Sequence, residues 1–338
     1  MTIVDLAAEI QIPMRTIQKI PWCIRDQYLR IFTEVLVAVE MSYGPGGTDG
    51  PSPTTAWTLF ILLPRLLLHH TARGGQASER ELKQRIGLFD TGRWDQLLTS
   101  ARSSATRPRT SKRTRDPESQ KLDQALRLAK MGELSHAARV LSSSGLAAGT
   151  DATLRELRDP QLRPAEPAEP FPDGLHAFQP AGMLTLDRQL FGDVLRQTRR
   201  GLSAGLWGAR YEHYNICLEN DTAFEALGNV AERLARAQVP VAIRDALHVS
   251  SLTALTKPNN RVRGISAGDT FRRLVAKTLA RQFGAQLQAA VWPMNFGLCN
   301  AGGTDAAINF LRYVSEENPQ KIIMSIDGVG AFDHVSRT

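Results

Sequence analysis

The sequence predicts an α+β chain with a mostly α-helical first half and a second half that mixes helices with short strands. Three observations carry that reading. Apolar residues recur near helical spacing through residues 1–100 and again from Thr222 to Gln238. Two β-prone runs, Leu252 to Thr256 and Arg261 to Ile265, flank the turn-forming Pro258-Asn259-Asn260. A further apolar run, Lys321 to Ile326, ends in Asp327 and reads as a strand. With 338 residues, 42% hydrophobic and 22% charged, the composition fits two or three globular domains and excludes a fibrous or wholly disordered chain.

In chain order, residues 1–100 form a helical N-terminal region. Trp22, Tyr28, Phe32, Leu36 and Val37 start it, Gly44 to Pro53 is a glycine- and proline-rich loop, and Trp94, Leu97 and Leu98 continue an apolar face. The most apolar stretch, Ala56 to Leu68, is interrupted by Pro64-Arg65. It falls short of the roughly 20 residues a membrane helix needs, so it reads as a core or interfacial helix. Residues 101–119 are expected to be a basic, disordered linker. Arg102, Arg107, Arg109, Lys112, Arg113 and Arg115 precede the first acid, Asp116, with almost no apolar residue between them. A solvated linker and a nucleic-acid or nuclear-import patch both fit that composition.

Residues 120–143 read as a helical hairpin turning at Gly132, and residues 144–177 as a proline-stiffened linker. Residues 178–338 are denser. Leu186 to Thr198 and Thr222 to Gln238 read as helices and 252–265 as a hairpin. Asp269 is placed to cap the next helix, whose apolar face carries Phe271, Leu274, Val275 and Thr278.

The three cysteines, Cys23, Cys217 and Cys299, are far apart and odd in number. They support neither a disulfide framework nor a cysteine zinc site, and they fit a reducing, intracellular setting in the cytoplasm or nucleus. The first residues lack the basic and apolar regions of a signal peptide, and no membrane partner is expected. The net charge of +7 is unevenly spread. Between Ser251 and Arg281 stand seven basic residues, Lys257, Arg261, Arg263, Arg272, Arg273, Lys277 and Arg281, against one acid, Asp269. Concentrated basicity in a folded segment is the footprint of phosphate binding. Elsewhere, His69-His70 lacks partners at ligand spacing, Asp333-His334 has no nucleophile beside it, and Gly302-Gly303-Thr304 lacks the Gly-Lys pair of a P-loop.

The last apolar run reads Ile322-Ile323-Met324-Ser325-Ile326-Asp327-Gly328-Val329-Gly330-Ala331-Phe332-Asp333. A carboxylate at the end of such a run, with an aromatic five residues on, resembles the first carboxylate motif of reverse transcriptases. Leu255 to Ile265 followed by Phe271 to Lys277 resembles the fingers of non-LTR retrotransposon reverse transcriptases, with Gly264 where that family has proline. Asn295 to Ala307 resembles the glycine-rich segment before the carboxylate motif. Gly201 to His213 stands where the family carries an Ala-Gly-Pro-Ser-Gly-like turn, here interrupted by Leu206-Trp207.

The resemblance covers about residues 180–338 and implies the fingers and an incomplete palm of a right-hand polymerase. It implies a magnesium-ligating, catalytic Asp327 and a steric gate at Phe332. Lys257 and Arg263 would lie on the nucleotide triphosphate, with Arg261, Arg272, Arg273, Lys277 and Arg281 on nucleic-acid backbone. The partners implied are an RNA template, a DNA primer and dNTPs. The family's two magnesium ions need further carboxylates from a Tyr-x-Asp-Asp hairpin, and the sequence contains no Asp-Asp pair. The expectation is therefore a retroelement fragment that is inactive by itself, or alternatively a non-catalytic, basic RNA- or DNA-binding protein.

Overall fold

The computed structural model describes residues 5–44, 51–71, 76–105, 116–143, 145–159, 174, 177, 179, 182–257, 259, 261–293, 295–297 and 302–325. It is 63% helical, with one two-stranded antiparallel sheet among the described residues, so the chain is α+β. It forms two compact units. The first comprises Met1–Ser143, Leu184–Thr253 and Ser266–Thr278, and the second Ser144–Met183, Ala254–Ile265 and Leu279–Thr338.

In the first unit, α1 (Leu6–Gln11) starts at Asp5, whose carboxylate accepts from Ala8 N–H. Next come α2 (Arg25–Met41), α3 (Pro53–Leu68), α4 (Glu79–Asp90) and α5 (Trp94–Ala105). Helix α3 begins at Ser52, whose hydroxyl accepts from Thr55 N–H, and has Pro53 at its first position, where a missing N–H costs nothing. It runs through Pro64, and its residues from Ala56 to Leu68 are all buried. The apolar stretch is thus a core helix. No helix among the described residues is long and apolar enough to cross a membrane. Helices α2 and α3 pack together, and α11 (Asp221–Ala235) covers α2 from another side.

Phe60 is the hub of this core. Its ring lies 6.2 Å from Phe32, 5.8 Å from Trp57, 6.2 Å from Trp207 and 5.0 Å from Phe271, the last three edge-on. Each such pair contributes about 0.5–1.5 kcal/mol beyond area burial. Beside it lies a buried guanidinium. Arg65 donates to the carbonyls of Glu9 (2.9 Å), Ile10 (2.5 Å), Ile12 (2.8 Å) and Leu206 (2.8 Å), binding its own helix to two other chain segments. Burial pulls its pKa down to about 10, so it remains charged at neutral pH.

The expected hairpin at 120–143 is present as α6 (Pro117–Lys130) and α7 (Leu134–Ser142). Gly132 turns it at φ +83, a conformation that L side chains resist. The unit is completed by α9 (Arg188–Arg196), the single turn α10 (Tyr211–Tyr214) and α12 (Val241–His248). The second unit holds α8 (Asp151–Leu157), α14 (Gly284–Val291), α15 (Gly303–Glu317) and the tip of the β hairpin.

The structure departs from expectation at three places. Residues 101–105, expected in a disordered linker, end α5. Ala101 is buried, and Arg102 forms an ion pair of 2.6 Å with the buried Glu9, contacts that sequence composition does not reveal. The following residues 106–115 lie outside the described residues. In the 144–177 linker, Thr150 caps α8 by accepting from Thr153 N–H. At Lys321 to Ser325, no strand forms, and Ile322, Ile323 and Met324 are exposed. A palm sheet is not formed among the described residues, where the hairpin has no further named strand beside it.

Replacing Arg65 by Met is expected to lower the unfolding free energy by about 3 kcal/mol or more, because buried carbonyls lose their donor. Urea unfolding followed by circular dichroism checks this. A loss below about 1 kcal/mol would show that the carbonyls find other partners.

Candidate nucleic-acid interface

The basic segment singled out from sequence is built from a hairpin and the helix that follows it. Strands β1 (Ser251–Thr256) and β2 (Val262–Ala267) pair, and Lys257 N–H closes the turn on the Arg261 carbonyl at 2.7 Å. Asn259 Oδ1 accepts from Arg261 N–H at 3.2 Å, the local side-chain turn that favours asparagine here. The tip is tied on both edges within the second unit. Ala147 N–H reaches the Ala254 carbonyl at 3.0 Å, forming a bridge beside β1. On the β2 side, Glu156 Oε1 accepts from Val262 N–H at 2.8 Å and lies 3.5 Å from Arg261 Nε. Glu156 thus offsets part of the Arg261 charge. Lys257 is half-buried at the strand end, and Arg263 is exposed on β2.

Helix α13 (Thr270–Gln282) starts at Asp269, as expected. The carboxylate does more than cap. Oδ1 accepts from Phe271 N–H at 3.1 Å, while Oδ2 accepts from Trp207 N–H at 3.1 Å, and Thr270 Oγ1 donates to the Ala209 carbonyl at 2.8 Å. The loop 203–210 is therefore fastened to the start of α13. Gly205 permits the approach, since a Cβ there would stand 2.4 Å from Asp269 Oδ2 and 2.7 Å from its Cα. Burial pushes the Asp269 carboxyl up to about 6, with the backbone N–H groups opposing. Nearby, His213 accepts from Arg210 N–H at Nδ1 (3.2 Å) and its Nε2 faces the Ile17 carbonyl at 2.7 Å. Burial lowers this imidazole to about 4, so its stabilising contribution is present above pH 6.5 and is lost as pH falls toward 4.

The remaining cations divide by role. The Arg272 guanidinium donates to the Leu247 carbonyl. Arg273 donates to the Ser203 carbonyl and Thr270 Oγ1, both at 3.3 Å, and lies 5.7 Å above the Tyr211 ring. These two half-buried arginines bind the fold together. Lys277 and Arg281 are exposed along α13. Lys257, Arg261 and Arg263 belong to the second unit, and Arg272, Arg273 and Lys277 to the first. Asp327 and Phe332 lie outside the described residues. Among the described residues, no three His, Cys, Asp or Glu side chains converge as metal ligands.

No protein-family model, curated protein or solved structure matches this chain.

Sequence reasoning located the hairpin and the cap, but it grouped the exposed Lys277 and Arg281 with Arg272 and Arg273, which the fold engages. It missed the double duty of Asp269 and the need for Gly205, which only the folded approach of two distant segments creates.

Two outcomes follow from this junction. Gly205→Ala is expected to destabilise the first unit by more than about 2 kcal/mol, since backbone must move; calorimetry or urea unfolding tests it. For Asp269→Asn, the sign depends on pH. The folded carboxyl holds its proton more tightly than the unfolded chain, so wild-type stability from this group is greatest at low pH and is lost as pH rises from about 3.8 through about 6. The substitution should therefore cost about 2 kcal/mol less at pH 7.5 than at pH 4, and an equal cost at both would contradict the burial of the charge.

Proposed function

We propose that the chain is part of an RNA-directed DNA polymerase of the non-LTR retrotransposon type, in which the 251–282 segment contacts nucleotide and nucleic acid. The observation that carries the reading is the hairpin and helix at the segment resembling that family's fingers. Lys257 stands at the strand end, Arg263 is exposed on β2, and Lys277 and Arg281 are exposed on α13. Loop 203–210, where the family carries its glycine turn, is joined to the same helix by Asp269. In this reading Lys257 and Arg263 neutralise a triphosphate, for which the forked guanidinium is well suited. Phe332 excludes a 2′-hydroxyl, and Asp327 ligates magnesium. The described residues supply no donor set for the two ions, so the magnesium assignment rests on Asp327 alone.

The second reading, a basic protein that binds nucleic acid without catalysis, is favoured by the exposure of Lys277 and Arg281, which needs no Asp327. Asp327→Asn separates the two. The polymerase reading expects magnesium-dependent dNTP binding to weaken about 10-fold, with the salt dependence of RNA binding unchanged. Equal dNTP binding by both proteins would leave only the second reading. Replacing both Lys277 and Arg281 by Ala should lower the slope of log K against log salt by about 1 to 2; an unchanged slope would remove them from the interface.

A further inference from the structure

Apart from the hairpin, the first unit contains a cavity of about 460 Å³ bordered by segments far apart in sequence. Its volume lies within the range of small-ligand pockets and far exceeds that of a single water. Lys19, Lys130 and Arg200 line it. Their side chains are exposed and make no hydrogen bond or ion pair among the described residues. Arg25 and Glu219, also in the lining, form an ion pair with each other. Glu212 is the remaining acid, so the lining carries a net charge of about two positive.

Its polar wall is unevenly satisfied. Glu212 Oε1 accepts from Gln18 Nε2 at 3.0 Å and from Gly201 N–H at 2.8 Å, whereas its Oε2 is buried without a donor. Asn215 Oδ1 is likewise buried without a donor. Such orphaned acceptors cost about 1–3 kcal/mol each, and a ligand N–H that draws either side chain toward it relieves that cost. Met131 adds apolar surface beside them. Gly201 approaches it closely, since a Cβ there would stand 2.6 Å from its methyl carbon.

We propose that this cavity binds a nucleotide bearing a terminal phosphate monoester. The phosphate, close to a dianion at neutral pH, lies on Lys19, Lys130 and Arg200. A base with an exocyclic amino group rests against Met131 and donates to Glu212 and Asn215. The source is a free nucleoside monophosphate or the 5′-phosphorylated end of a strand. The site is independent of the hairpin and of Asp327.

Calorimetric titration of the full chain with 5′-AMP, 5′-UMP, adenosine, and oligoadenylates with and without a 5′-phosphate tests it. Binding of 5′-AMP at least 10-fold tighter than of adenosine and of 5′-UMP is expected. Lys130→Ala combined with Arg200→Ala should weaken it at least 10-fold, while Lys83→Ala, at an exposed position on α4 outside the cavity lining, leaves it unchanged. Lys19→Glu provides a second variant, and unchanged circular dichroism shows that the variants fold. If only the oligonucleotide binds, and needs its 5′-phosphate and the cavity cations, the strand end is the ligand. Absence of binding by both phosphorylated probes, or binding indifferent to the cavity variants, overturns the proposal.

Discussion

Asp269 is enclosed between the start of α13 and the loop carrying Trp207, and its two oxygens answer backbone N–H groups from both. The placement of the start of α13 in the first unit depends on this arrangement. An unsatisfied carboxylate at that depth would be costly, so burial is tolerated because each oxygen has a donor and α13 presents its N-terminal dipole to the charge. Gly205 leaves the room, and Thr270 adds a hydroxyl contact to Ala209. From this start α13 places Phe271 in the aromatic core around Phe60 while Lys277 faces water.

The same first unit uses buried polar groups as connectors elsewhere. Arg65 gathers carbonyls from the N-terminal segment and from Leu206, the neighbour of Trp207. The aromatic cluster supplies non-directional burial, and Arg65, His213 and Asp269 add directional bonds that fix loop 203–214 against it. A residue such as Arg272, basic and therefore suggestive in sequence, is engaged here with the Leu247 carbonyl. Charge composition alone does not separate cations that bind the fold together from those displayed to solvent.

That distinction marks the limit of what the sequence reveals. Local features were legible because their causes are local. Helical periodicity located α11, the Pro-Asn-Asn turn located β1 and β2, and Asp before an apolar helix located the cap of α13. The end of α5 was not legible, because Arg102 is ordered by Glu9, a partner far away in sequence. The strand expected at 321–326 failed over its described part because apolar β-prone residues form a strand only when a neighbour pairs with them, and Ile322 is instead 91% exposed. In the candidate site, Lys257 and Arg263 occupy a hairpin as expected, whereas Asp327 and Phe332 belong to the reading by resemblance alone.

The most direct test of the central claim is affinity labelling with a lysine-reactive adenosine polyphosphate aldehyde, followed by reduction and peptide mapping. Lys257 is predicted to carry the label in a dNTP-protectable way, since the triphosphate would lie against the hairpin tip. Label spread over exposed lysines without protection by dNTP, or absent from Lys257 while concentrated at Lys277, would contradict a nucleotide-binding hairpin.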